Sequence, residues 1–126
     1  MSSPYLYGTP KTAIGQATVA NTGLDGSGTL ADVLTAGANG SIVVGVVVEA
    51  IATTTAGMVR LFHYDGTNNR LIAEVLVTAI TPSGTVKAFT EAWAPPFPLV
   101  IPTTGKLKAT THTGDDFNII ASYGDL

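Results

Sequence analysis

The sequence predicts an all-β protein: an eight-stranded, jelly-roll-like β-sandwich preceded by an extended N-terminal arm. Three observations carry that expectation. Helix signals are nearly absent, with no window of sustained three-to-four-residue periodicity flanked by caps. β-branched residues and glycine dominate the apolar segments. Turn residues (Gly, Pro, Asn and Asp) recur at intervals of roughly ten residues, as in sandwiches and barrels.

Taken in order, Met1 to about Asn21 reads as an arm. It contains Pro4, Pro10, Gly8 and Gly15, and its apolar bulk is confined to Tyr5, Leu6, Tyr7 and Ile14. Proline blocks ladder bonding and favours extended chain. Thr12 to Ala20 has the character of an edge strand, and Leu24-Asp25-Gly26-Ser27-Gly28 makes a turn. The expected division is therefore an arm and edge strand over residues 1–27 and one sandwich domain over residues 28–126.

The core strands follow. Thr29–Thr35 is the first, and Ser41–Ala52 is the strongest. The apolar run of Ser41–Ala52 suggests burial on both faces, or one face against a neighbouring subunit. Met58–Tyr64 and Arg70–Ala79 flank Asp65-Gly66-Thr67-Asn68-Asn69, a strong hairpin signal. Val86–Ala92 places Lys87, Phe89, Glu91 and Trp93 on one side and Val86, Ala88, Thr90 and Ala92 on the other. Pro95-Pro96-Phe97-Pro98 breaks that strand. Leu99–Ile101, Lys106–Thr113 and Phe117–Tyr123 complete the set. Eight strands in about 100 residues fit a jelly roll of two packed four-stranded sheets. An immunoglobulin-like sandwich is the alternative, but its paired cysteines are missing.

Composition narrows the function. The 126 residues carry a net charge of −3, and charged residues are only 12% of the chain, against about 25% in a typical soluble domain. The six Lys and Arg are scattered and form no basic patch, which argues against a nucleic-acid partner. The surface needs another cover, which 19 threonines partly supply. Such a surface suits a protein that lives in an assembly. The N-terminus lacks the basic and apolar pattern of a signal peptide. The longest apolar run is too short to span a bilayer as a helix. The expectation is a soluble protein made in the cytoplasm, with no membrane partner.

Residues that could carry chemistry are few. With no cysteine and two histidines, metal or nucleophile sets are scarce. His63 reads as a strand residue near a hairpin, partly buried and hydrogen-bonded. His112 lies near Asp115 and Asp116, but the spacing matches no ligand motif, and Asp after Gly is ordinary turn chemistry. Glu49, Glu74 and Glu91 fall on three strands, and nothing in the sequence singles out a pair for glycoside hydrolysis. Gly26-Ser27-Gly28 precedes a strand and lacks a phosphate-loop lysine. The reading is a non-enzyme without a cofactor. Trp93, beside Pro95, Pro96 and Phe97, is the most unusual cluster. It suits a sugar platform, a docking anchor on a stiff loop, or a plug in the open end of the sandwich.

Thr53–Phe62, Asp65-Gly66-Thr67-Asn68 and Val77–Ser83 together resemble a family of small tailed-phage virion structural proteins. Leu107–His112 and Phe117–Ala121 fit the same pattern, so the similarity covers about Gly28 to Asp125. The resemblance implies a capsid decoration or cement protein, often a homotrimer, bound to the major capsid protein at the virion surface. Such a protein needs a rigid body and several simultaneous attachments, which raise avidity without an active site. In that setting Tyr5, Leu6 and Tyr7 of the arm, with Trp93, Pro95, Pro96 and Phe97, are the expected partner-binding residues. A head-fibre, tail or baseplate subunit and a carbohydrate-binding module using Trp93 are the alternatives.

Overall fold

Alternation along the strands decides which side chains meet between the sheets. The computed structural model describes residues 8–126. Tyr5, Leu6 and Tyr7 lie outside the described residues. The described residues form nine strands: β1 (Thr9–Ala17), β2 (Ala31–Thr35), β3 (Ser41–Ala50), β4 (Gly57–Tyr64), β5 (Asn69–Val77), β6 (Thr90–Trp93), β7 (Leu99–Ile101), β8 (Lys106–Thr111) and β9 (Phe117–Asp125). They form two antiparallel sheets, and no helix occurs among the described residues. One sheet has the order β1-β9-β3-β6, with β7 also on β3; the other has the order β2-β8-β4-β5. The protein is a β-sandwich.

The inner faces supply the core. Val48, Val59, Leu61, Ile101, Leu107, Ala109, Ile119 and Ala121 are fully buried there. Each large aliphatic side chain so buried contributes about 1.5–3 kcal/mol. Phe89 meets Phe117 edge to face, with centroids 6.3 Å apart and planes at 83°. That geometry adds about 0.5–1.5 kcal/mol beyond area burial.

The two sides of the sandwich differ. On one side β1 and β2 are in close contact. A Cβ at Gly15 would fall inside the Asp32 carbonyl oxygen and 2.9 Å from the Val33 Cα. On the other side the edge strands β5 and β6 stand apart, with a cleft between them.

The hairpin between β4 and β5 forms where Asp65-Gly66-Thr67-Asn68 predicts it. The Asp65 Oδ1 accepts from the Thr67 N–H at 2.9 Å and the Asn68 N–H at 2.8 Å. Gly66 takes φ 102°, a conformation that glycine adopts without steric cost.

Two expectations need correction. Val86–Ala92 is not one strand: β6 begins at Thr90. Its partner β3 ends at Ala50, whose N–H donates to the Phe89 carbonyl. Residues before Phe89 therefore have no ladder to join, and Ser83 folds them into a turn by accepting from the Val86 N–H. Nor is β3 buried on both faces within the chain. Val43, Val46, Val48 and Ala50 face the core, whereas Ile42 and Val47 are half-buried and Val44 is 47% exposed.

The edge strand foreseen at Thr12–Ala20 is present as β1, shifted toward the N-terminus and paired with β9 over its whole length, from Thr9↔Asp125 to Ala17↔Phe117. The connection from β1 to β2 then crosses the outside of the four-stranded sheet. It starts at the β8 edge, where the Asn21 N–H donates to the Thr111 carbonyl, and reaches Asn69 of β5, whose side chain donates to the Gly26 carbonyl. Phe62 is 1% exposed, yet it lies outside the cluster of residues between the sheets. Its partners across the ladders, Lys108 and Leu71, place it on the face that this loop crosses.

Candidate functional site

The outer face of the five-stranded sheet is built by the residues that alternate with the core. Ile14 is opposite Ile120, Ile120 is opposite Val47, and Val47 is opposite Ala92. These four side chains form one apolar row across four strands. Ile14 is 61% exposed. A polar row runs beside it, from Gln16 to Asn118 to Glu49 to Thr90, with the Gln16 Nε2 donating to the Asn118 Oδ1 at 2.9 Å. On the other side of the apolar row lie Thr12, Ser122 and Gly45. Glu49 is the only charged residue in these rows.

The segment from Ala94 to Pro98 joins β6 to β7, both of which pair with β3. Pro95, Pro96 and Phe97 lie against Ile42 and Val44 beside the β3 bulge between Val43 and Gly45. Phe97 is 57% exposed and Val100 46%. They extend the apolar face toward β7. Trp93 is half-buried against the core and lines both the outer face and the side cleft. The structure thus brings Trp93, Pro95, Pro96 and Phe97 to one edge of one sheet.

The side cleft has a volume of about 530 Å³. Its walls include Glu74 and Leu76 from β5, Glu91 and Trp93 from β6, and Lys87 and Phe89 from the preceding loop. The Glu74 Oε2 accepts from the Arg60 Nε–H at 2.8 Å. Arg60 is itself buried, and its Nη1 lies 2.9 Å from the His112 Nδ1. A guanidinium only donates, so this contact uses the Nδ1 lone pair.

The other sequence candidates disperse. His63 places its Nε2 3.1 Å from the Val100 carbonyl, bridging the sheets at one end. His112 turns to Arg60 and away from the Asp115 carboxylate, which instead accepts from the Thr55 N–H at 2.7 Å and the Thr55 hydroxyl at 3.0 Å. Glu49 lies on the outer face, while Glu74 and Glu91 share the cleft. Among the described residues, no group of three or more His, Asp and Glu side chains is placed to hold a metal. No helix among them is long and apolar enough to cross a membrane.

No family model matches this chain, and no curated protein or solved structure is significantly similar to it.

Three features escaped sequence reasoning. The pairing of Ile14 with Ile120 depends on a contact between residues 106 positions apart. The Arg60–His112 contact spans 52 positions. The cleft exists only because the two sheets end at β5 and β6. Every residue from Lys87 to Trp93 lines the cleft, so the alternation expected over Val86–Ala92 does not pick out the residues that face it.

Proposed function

We propose that this protein is a non-enzymatic structural subunit of a tailed-phage virion, which decorates and cements the capsid as a homotrimer bound to the major capsid protein. The observation that carries the reading is the row Ile14–Ile120–Val47–Ala92, extended by Val44, Phe97 and Val100. A sheet face this apolar with so little charge is costly to leave in water and is suited to contact with protein. The resemblance of Thr53–Phe62, Asp65–Asn68 and Val77–Ser83 to small virion proteins supports the same reading. The strand order supports the jelly-roll assignment. Apart from the neighbours β4–β5 and β6–β7, successive strands alternate between the sheets, β1, β3, β6, β7 and β9 in one and β2, β4, β5 and β8 in the other, as suits interlocked Greek keys. A stiff sandwich with several weak attachments gains strength from multivalency, by about 10²–10⁴ over a single contact.

The test is co-sedimentation of the purified protein with phage heads and, separately, with tails. Wild type should pellet with heads and behave as a trimer in solution. Val47→Lys and Ile120→Lys should keep the thermal transition and lose pelleting. A wild-type protein that stays monomeric and ignores heads would overturn the decoration reading; pelleting with tails alone would assign it to the tail or baseplate instead.

A further inference from the structure

We propose that the cleft on the open side of the sandwich is a saccharide site, taking a neutral mono- or disaccharide between β5 and β6. This goes beyond the virion reading and does not depend on it, because the cleft opens on the flank and not on the apolar sheet face.

Four observations converge. The volume of about 530 Å³ lies within the range of about 300–1,000 Å³ usual for small-molecule sites. Trp93 lines the cleft and is only half-buried, so it supplies aromatic surface. An indole face offers apolar contact to the C–H face of a pyranose while its rim stays polar. Glu91 and Lys87 are exposed, and neither takes part in an ion pair among the described residues. They are available as acceptor and donor for sugar hydroxyls. Finally, both walls are edge strands, whose outer backbone N–H and C=O groups have no ladder partner and add further hydroxyl contacts.

The charge balance selects the ligand. The Glu74 carboxylate is held by the buried Arg60 guanidinium, which leaves Glu91 and Lys87 as the free charges among the residues lining the cleft, one of each sign. A cleft so balanced has no excess positive charge to hold an acidic sugar, which leaves a neutral one as the better fit. Hydrogen bonds from hydroxyls to carboxylates are stronger than those between neutral groups.

Trp93 is the only tryptophan in the chain, so intrinsic fluorescence reads the cleft directly. The probes are glucose, galactose, mannose and N-acetylglucosamine, their disaccharides, and glucuronic acid as the acidic comparison. At least one neutral sugar should give a saturable change in emission, while glucuronic acid gives none. Glu91→Gln and Lys87→Gln should weaken that binding by about tenfold or more, as loss of a charged hydrogen bond does, with the urea midpoint unchanged. Absence of any saturable change, or binding that both substitutions leave intact, would overturn the site. Head co-sedimentation of the same variants should match wild type, which separates failure of this site from failure of the docking face.

Discussion

Gly15 faces the backbone of Asp32 so closely that no side chain fits between them. This contact, and not a ladder of hydrogen bonds, seals one flank of the sandwich, because β1 and β2 belong to different sheets. Gly15→Ala should therefore destabilise the fold by about 1–3 kcal/mol, the usual cost of overpacking. Gly84 is the control: a Cβ there meets nothing within 4 Å. Gly84→Ala should be neutral or stabilising by up to about 1 kcal/mol, through the unfolded chain. Urea unfolding of the two variants decides the matter, and equal midpoints would refute the tight seal.

Asn21 holds the loop over the four-stranded sheet. Its Nδ2 donates to the Ser27 and Thr29 carbonyls, at 2.9 and 3.0 Å, and its Oδ1 accepts from the Gly23 N–H at 2.9 Å. Asn21→Ala removes all three bonds at about 0.5–1.5 kcal/mol each before relaxation. Hydrogen exchange should rise across residues 22–29 and at Phe62, while β3 and β9 stay protected. Unchanged exchange over the loop would show that Asn21 is not its clasp.

Acid should weaken the fold in a defined window. Hydrogen bonds from Lys11, then Ser41, hold the Asp125 carboxyl below its ordinary value of 3.8. The Ser27 hydroxyl lowers Asp25, and the backbone N–H groups of Asn68 and Thr67 lower Asp65. Burial pushes Asp115 up, but its bonds from Thr55 and Thr113 together outweigh that and bring it down. Each folded value lies below the unfolded one, so the folded state binds fewer protons. The stabilisation is present above about pH 3.8 and is lost as pH falls through the depressed values. The opposite sign applies to Lys11, raised above 10.5 by the Asp125 hydrogen bond. Its contribution is present below that value and fades as pH rises past it. The urea midpoint should be flat near neutrality and fall between about pH 4 and about pH 2, less steeply in Asp125→Asn. A midpoint insensitive to acid would contradict these assignments.

Truncation should separate the arm from the body at Tyr7. Deleting Met1–Tyr7 leaves β1 whole and should preserve the thermal transition. Deleting Met1–Asn21 removes β1, strips the long edge of β9 and takes away the buried Ala17. That shorter chain should unfold or aggregate through the bared edge. If it folds as well as wild type, β1 is an appendage after all. Loss of head binding in the first truncation alone would assign anchoring to Tyr5, Leu6 and Tyr7.

Much of this architecture was legible because it is local. Asp65-Gly66 specifies a turn within a few residues, and period-two alternation from Phe117 to Ala121 specifies which side chains face inward. Failures arose where distant chain segments decide. Val86–Phe89 has the residues of a strand, yet β3 stops at Ala50 and offers nothing to pair with. His112 and Asp115 are neighbours in the sequence, but the partners the fold gives them, Arg60 for one and Thr55 for the other, lie more than 50 positions away and could not be read from it. Trp93 stood out by composition, but its neighbours Glu74 and Leu76 come from the opposite sheet, which alternation along one strand cannot reveal.

Because Thr9 is the ladder partner of Asp125, the described chain begins and ends at one corner of the molecule. Cargo fused ahead of Gly8 and cargo fused behind Leu126 would project from the same spot. A short linker there would close the backbone into a ring, and the exposed turn at Ser83–Gly84 offers a place to reopen it. The permuted molecule would keep both sheets while presenting its new ends beside the β5–β6 flank.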